Sequence, residues 1–527
     1  MQSSEQLKKN SFKKAALVVI VGLLLSKVTG QVREVLYGVV LQKPELTDAY
    51  VQGFLIPDLI YDLLIGGSIQ AALIPTLAKA LGTQDERKTW RDVSTFISFF
   101  SLLMLLAVLI LEVAAYPILA LISKTTNLSL TVQVARRLFP QTFFMMGAAL
   151  TIGILNAHKL FTRTALGPAL YNSLVCVSLI VLGRANEQAL LHVAVGISLS
   201  AFVYFIWQLL LARQLLPNIK FNCQFNRPGF RHLLLLALPT MLSASIAQFS
   251  NIFLQAYTKA MPAGSATALR YATTVWMLPY GVFTVAIGQV MLPSLATYIG
   301  QNNQVKAGEM LNKALRLVLL FALPSALIFF SLRQEIVVGI FWWKNQLPKF
   351  ATGDLANYYE ILKSAAGILT FYAPVIVCQS IIYIYNYAFY AHSITVVPLL
   401  NALISLLLTL GLGYFAAQTG QVAGLSLAFL LASALIACIL QGIYHHKFKQ
   451  EKLRKFAFFL WQNWVALMAL TVYLVLDHYY LAPLMFRHKL VNLAYLGARG
   501  LVAYATYYLF AFLVGVNELR NIKQLWH

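Results

Sequence analysis

The sequence predicts an all-helical (all-α), polytopic membrane protein with fourteen transmembrane helices, arranged as two pseudo-symmetric six-helix bundles followed by two C-terminal helices. Three observations predict it. The residues are 59% hydrophobic and only 11% charged, whereas a soluble protein carries about 25% charged residues. Apolar windows of about twenty residues, the length that crosses a hydrocarbon core, recur along the chain, and the mean hydropathy is +0.71. The loops between the windows alternate in Lys and Arg content, as loops on opposite sides of a membrane do.

Span 1, at 14–41, follows Lys8, Lys9, Lys13 and Lys14. This resembles the basic start of a signal peptide, but Ser26-Lys27-Val28-Thr29-Gly30 is a poor cleavage site and further spans follow, so the segment reads as a retained helix. Span 2, at 48–79, closes on Pro75-Thr76-Leu77-Ala78, and Lys79, Arg87, Lys88 and Arg91 separate it from span 3 at 93–122. Spans 4 and 5, at 131–157 and 165–183, meet where Asn156 is followed by Pro168. Span 6, at 189–212, leads into a basic segment holding Arg213, Lys220, Arg227 and Arg231, and span 7 occupies 232–258. Span 8, at 265–299, closes on Pro293-Ser294-Leu295-Ala296. Span 9, at 311–343, ends on Trp342 and Trp343, which read as interface anchors. Spans 10 and 11, at 365–391 and 395–416, meet at a second junction, from Asn386 to Pro398. Span 12, at 420–444, runs into Lys447, Lys449, Lys452, Arg454 and Lys455; spans 13 and 14 lie at 456–477 and 494–517.

The formal charge is +22, from 40 Lys and Arg against 18 Asp and Glu. With the N-terminus inside, inner segments hold roughly twice as many Lys and Arg as outer ones, and both termini are expected to be cytoplasmic. Lys27, Arg33 and Arg270 are then the cations assigned to neither side, and they sit within spans. No hydrophilic stretch is long enough to fold as a basic nucleic-acid-binding domain, so nucleic acid is not an expected partner. Four cysteines form no CxxC pair and suggest neither disulfides nor a zinc site. Walker A, GxGxxG, HExxH and GxSxG motifs are absent from the sequence, so no cofactor, no metal and no catalytic residue is expected.

The two Asn-to-Pro junctions lie roughly 230 residues apart, and the two Pro-closed helices roughly 218 apart, a sign of internal repetition. Six spans separate the copies, so the repeats are parallel, about an axis along the membrane normal. The expected organisation is an N-terminal bundle at 1–225, a C-terminal bundle at 226–450, and spans 13 and 14 at 451–527.

An ionisable group at mid-membrane costs at least about 2.5–3.5 kcal/mol, so such groups face a cavity or a partner. Lys27 lies roughly 20 Å into span 1, with Arg33 roughly 9 Å further out. Asp58 and Asp62, spaced i and i+4 on one face of span 2, reach roughly 15–21 Å from the other side. Lys27 and this acidic pair are expected to meet near the midplane. Arg270 lies in the outer half of span 8, level with Arg33. The plain alternative is that Lys27 and Arg33 only neutralise Glu34, Asp58 and Asp62, while Arg270 snorkels outward. The functional reading is a water-filled cavity offering cations to an anion; Arg binds phosphate oxygens bidentately and Lys as a point charge, which suits a pyrophosphate. Gly22, Gly30, Gly66 and Gly67 flank these charges and permit bending or close helix approach. Asp48, after Thr47 at the outer start of span 2, sits where a helix N-cap is expected. Gln248, Asn251 and Gln255 share a face of span 7; Gln289, Gln379 and Asn386 are single polar residues of the kind that usually bond a neighbouring helix.

Four stretches carry a family resemblance: Ser26 to Glu34; Thr47-Asp48-Ala49-Tyr50 with Ile56-Pro57-Asp58 and Gly66-Gly67; Leu278-Pro279-Tyr280-Gly281-Val282 with Leu292-Pro293-Ser294-Leu295; and the two Asn-to-Pro junctions. With them the chain resembles the lipid II flippases of the MurJ (MviN) family, in the multidrug, oligosaccharidyl-lipid and polysaccharide exporter superfamily. The resemblance implies two bundles forming a V, a groove for a polyprenyl tail beside the last two helices, and alternating access. It implies as cargo the undecaprenyl-pyrophosphate-linked peptidoglycan precursor, in a bacterial plasma membrane, with membrane lipids and cell-wall synthesis proteins as further partners. Lys27 and Arg33 match two cavity cations of the family, and Asp48 matches a family acid. A third family Arg aligns with Thr274, one turn from Arg270. Tyr61, Asp62 and Gly66 stand where many members have Arg, Arg and Glu. The alternatives are an exporter of another undecaprenyl-linked saccharide, a drug exporter, for which the excess of cavity cations is unsuited, and a membrane-embedded enzyme acting on a lipid pyrophosphate, for which no cluster of acids or histidines is present.

Overall fold

The computed structural model describes residues 22, 25–65, 73, 76–77, 86–122, 127–158, 160, 164–301, 303–343, 348, 352–392, 394, 396–448, 453–480 and 489–516. Among them every regular element is helical, as the sequence predicts, and nine helices are long and apolar enough to cross a membrane. Gly66 and Gly67 lie outside the described residues, as do the side chains of Asp62, Gln248, Asn251 and Gln289.

Helix α1 covers 25–41, followed by α2 (Pro44–Gly53) and α3 (Leu55–Ile65). Span 2 thus starts earlier than expected and is interrupted. Pro44 occupies the first helical turn, where its missing N–H costs nothing and its φ is preset. Asp48 therefore lies inside α2 and is not its N-cap; Lys43 holds that position. The break at Phe54 follows from Pro57, which has no N–H for the Gly53 carbonyl.

Helices α4 (Glu86–Ile122), α5 (Leu128–Ala157), α6 (Gly167–Leu182), α7 (Glu187–Leu211) and α8 (Pro228–Tyr257) follow. Packing groups the chain into two units, Met1–Lys259 and Ala260–His527. Helix α8 belongs to the first, where Phe230, Leu233 and Ala237 join Phe96, Phe100 and Met104 of α4 and Met146 and Ile154 of α5 in one core cluster. Packing therefore divides the chain after Lys259, while the division at 225 rests on the sequence repeat. The segment before α8 is held along α4 by hydroxyls at i, i+1 and i+4. Ser94 Oγ accepts from the Lys220 N–H (3.2 Å), Thr95 Oγ1 from Asn222 Nδ2 (2.9 Å), and Ser98 Oγ from the Asn222 N–H (3.0 Å). Arg227 at the N-cap of α8 then pairs with Asp92 of α4 (2.5 Å).

The second unit begins with α9 (Ser265–Pro279) and α10 (Val285–Gly300), joined by a π-turn at Tyr280–Thr284, in which the Val285 N–H bonds the Tyr280 carbonyl. Ser380 spends its hydroxyl proton on the Ile376 carbonyl (2.6 Å), so Thr284 donates to Ser380 Oγ (2.6 Å) and fixes the turn on α13 (Asp354–Ala391). Span 9 is two helices, α11 (Gln304–Ser331) and α12 (Arg333–Phe341); at the break the Arg333 guanidinium donates to the Phe330 carbonyl (2.8 Å). Helices α14 (Val396–Gln418), α15 (Val422–Phe448), α16 (Leu453–Tyr480) and α17 (Lys489–Leu513) complete the described elements. Leu311, Leu315 and Val318 of α11 pack with Ile384 and Phe389 of α13 and Ile436 and Leu440 of α15 to form this unit's core.

Both Asn-to-Pro junctions act alike. Asn156 Oδ1 accepts from Thr164 Oγ1 (3.1 Å), and Asn386 Oδ1 accepts from Asn401 Nδ2 (3.3 Å). In each copy the asparagine ties the end of one span to the start of the next.

Candidate functional site

On α1, Ser26, Gly30, Arg33 and Tyr37 follow a helical spacing and share a face, while Lys27, Gln31 and Glu34 share the adjoining one. The first face meets two helices. Tyr37 stacks on Tyr50 of α2, with ring centroids 4.8 Å apart. Gly30 lies against α6, where a Cβ would come within 3.3 Å of Asn172 Nδ2, so the missing side chain admits the amide.

That amide organises the site. Asn172 Oδ1 accepts from Arg33 Nη1 (3.2 Å), and Asn172 Nδ2 donates to the Ser26 carbonyl (3.2 Å). Arg33 Nη2 donates to Glu34 Oε1 (2.9 Å), which links the two faces of α1. The Arg33 side chain is 22% exposed and that of Glu34 8%. One turn further along α6, Cys176 Sγ lies 3.8 Å from the Thr29 carbonyl. Among the described residues, Gln31 Nε2 is buried with no hydrogen-bond partner.

Lys27 is exposed and makes no ion pair among the described residues, so its expected meeting with Asp58 is not made in this structure. Asp58 is half-buried on α3 and Asp48 is buried on α2 beside the buried Thr47 and Gln52. Arg270 is half-buried on α9, in the other unit, next to the buried Leu269 and Tyr271. On α8, Gln255 is half-buried, and its Oε1 lacks a partner among the described residues. Gln379 bonds Ser433 of α15 (2.9 Å), the helix-to-helix role expected of such residues.

Sequence reasoning missed Asn172 and Gln31, and it did not count Arg499 among the cations within spans although span 14 contains it. Arg499 stands well inside α17 and is 5% exposed, facing Asp477 of α16 at 2%. Its Nε donates to Asp477 Oδ1 (2.9 Å) and Oδ2 (3.2 Å), Nη2 donates to Oδ2 (2.5 Å), and Glu335 of α12 stands 3.9 Å away. The carboxylate near the end of span 13, facing a cation near the start of span 14, was the available signal.

Chemically, α1 offers an ammonium, an amide N–H and a guanidinium over about 9 Å of its length, a donor set suited to phosphate oxygens. Among the described residues no group of His, Cys, Asp and Glu is arranged to hold a metal ion.

A family profile described as lipid II flippase MurJ matches residues 41–494. A probable lipid II flippase MurJ of Buchnera aphidicola (subsp. Acyrthosiphon pisum) is 23% identical over 462 residues, covering 86% of this chain and 88% of that protein. One of Bdellovibrio bacteriovorus is 26% identical, covering 82% of this chain and 81% of the relative. Among solved structures, a lipid II flippase MurJ in an inward closed conformation aligns with a TM-score of 0.74 at 19% identity, covering 93% of this chain and 98% of that one. An inward-facing multidrug resistance MATE family transporter of the MOP superfamily aligns at 0.65 with 13% identity, covering 82% and 98%. Both likenesses concern the fold.

Proposed function

The chain belongs to the lipid II flippase MurJ family, and from that premise we propose that it moves lipid II, the undecaprenyl-pyrophosphate-linked peptidoglycan precursor, from the cytoplasmic to the outer leaflet by alternating access. The observation that carries this reading is the family match, which runs through both units. The donor set on α1 supports it, because a pyrophosphate needs several N–H donors in a site with little competing water.

Lys27 and Arg33 hold the pyrophosphate and Arg270 is the further cation proposed for it, while the polyprenyl tail stays in lipid. Gln31 Nε2 supplies a further donor. Glu34, Asp48, Asp58 and Asp62 are the charge partners of these cations, and Asp58 and Asp62 receive them once cargo leaves. A ligand held in one state must be released in the other, so the cations exchange partners as the protein reopens outward. No bond is made or broken. Fourteen spans, two six-span repeats and cytoplasmic termini complete the reading, with cell-wall synthesis proteins supplying and using the cargo.

The test is to deplete the native flippase of a bacterial host, express this chain and measure how much lipid II is accessible on the outer face. Restored exposure is expected. Stable insertion without exposure overturns the cargo assignment and points to another undecaprenyl-linked saccharide.

Orientation has its own test in Cys223, which is exposed in the segment before α8. With Cys176, Cys378 and Cys438 replaced by Ala, a membrane-impermeant maleimide is expected to label Cys223 only after the inner membrane is opened. Labelling in intact spheroplasts would reverse the topology.

A further inference from the structure

We infer that Asn172 is a positioning residue for cargo binding, holding the Arg33 guanidinium in the plane in which it meets a pyrophosphate; this rests on the reading of Arg33 given above. Arginine recognises phosphate through a planar fork, so its usefulness depends on the orientation of that plane. Glu34 takes Nη2 and Asn172 takes Nη1, and these contacts orient it.

The Asn172 amide is itself oriented. Its nitrogen donates to the Ser26 carbonyl, which turns its oxygen toward Arg33. Both ends of the amide are therefore used, and aspartate or leucine could not make both contacts. Space for the amide comes from Gly30, the point of close approach between α1 and α6.

A plain helix-to-helix bond is the competing account. The internal repeat speaks against it. The junction asparagine recurs, Asn156 in one copy and Asn386 in the other, but the position matching Asn172 at the same offset is Ala402. The general packing device is kept in both copies, whereas Asn172 accompanies the one copy whose neighbouring helix carries Arg33.

The experiment is a double-mutant cycle on the full-length protein in nanodiscs, with undecaprenyl pyrophosphate as the probe and its dissociation constant read by native mass spectrometry. Asn172→Leu is expected to weaken binding about tenfold when Arg33 is present, and by less than about twofold in the Arg33→Ala background, since coupled residues are non-additive. An equal loss in both backgrounds makes Asn172 a packing residue and overturns the inference. Weakening by Arg33→Ala alone, with Asn172→Leu neutral, overturns it too while leaving the reading of Arg33 intact. If Arg33→Ala does not change binding, that reading fails and the inference fails with it. Should Asn172→Leu not reach the membrane, Asn172→Ser, which keeps a small hydroxyl in the same space, is run through the same cycle with the same criteria.

Discussion

Lys27→Ala and Arg33→Ala are each expected to abolish the outward exposure of lipid II while the chain remains in the membrane at normal abundance. A hydrogen bond to a charged group is worth about 1.5–3 kcal/mol, and one that also positions cargo is worth at least tenfold in transport, with about a hundredfold expected for a guanidinium making two such bonds. The two variants are not equivalent as tests. Lys27 is exposed and has no ion pair among the described residues, so its removal costs no described native contact, and a loss of transport reads directly as loss of function. Arg33 is bonded to Glu34 and Asn172, so its removal also disturbs a buried carboxylate. Arg33→Lys serves as the companion: it keeps the charge and loses the fork, and partial transport is expected of it. Normal complementation by both alanine variants would remove Lys27 and Arg33 from the cargo site.

Asp477→Leu is expected to destabilise the protein by about 3–5 kcal/mol, the usual consequence of leaving one partner of a buried ion pair uncompensated. Among the described carboxylates Arg499 would keep Glu335, at 3.9 Å, to answer its charge. The double variant Asp477→Leu with Arg499→Met should recover nearly all of the loss, because two apolar side chains of similar volume avoid the desolvation of both ions. Thermal unfolding of the purified protein measures both. A single variant within about 1 kcal/mol of the parent would mean that water reaches the pair and that the burial argument does not apply.

The elements were legible because apolar length is a strong signal, and where the expected spans are described most of their residues are helical, apart from breaks such as those at Phe54 and Leu332 and from their ends. Their ends were not. Hydropathy windows register lipid contact, whereas helices are ended by local chemistry such as Pro44 in a first turn or Pro57 opening a gap four residues back. Arg499 was overlooked for another reason: it lies near the start of its apolar window, where a cation reads as snorkelling to the interface, and only the packing of α17 on α16 shows it buried on Asp477. At the site, Lys27, Arg33 and Glu34 were visible because charges are costly in lipid. Asn172 was invisible because a lone asparagine in a span is common, and only the spatial approach of α6 to α1 at Gly30 gives it a partner.

The π-turn between α9 and α10 has a consequence for how this chain can diverge. A wide turn of this kind takes up one residue more than regular winding, and one residue of an α-helix corresponds to about 100° of rotation. The flanking segments thus keep separate rotational registers, with Thr284 held on Ser380 at one side and Trp276 buried at the other. An insertion or deletion of one residue between Pro279 and Thr284 changes the winding there and leaves both neighbouring packings in place. Within this span, Tyr280–Thr284 is therefore where a one-residue change of length is expected to cost the least packing.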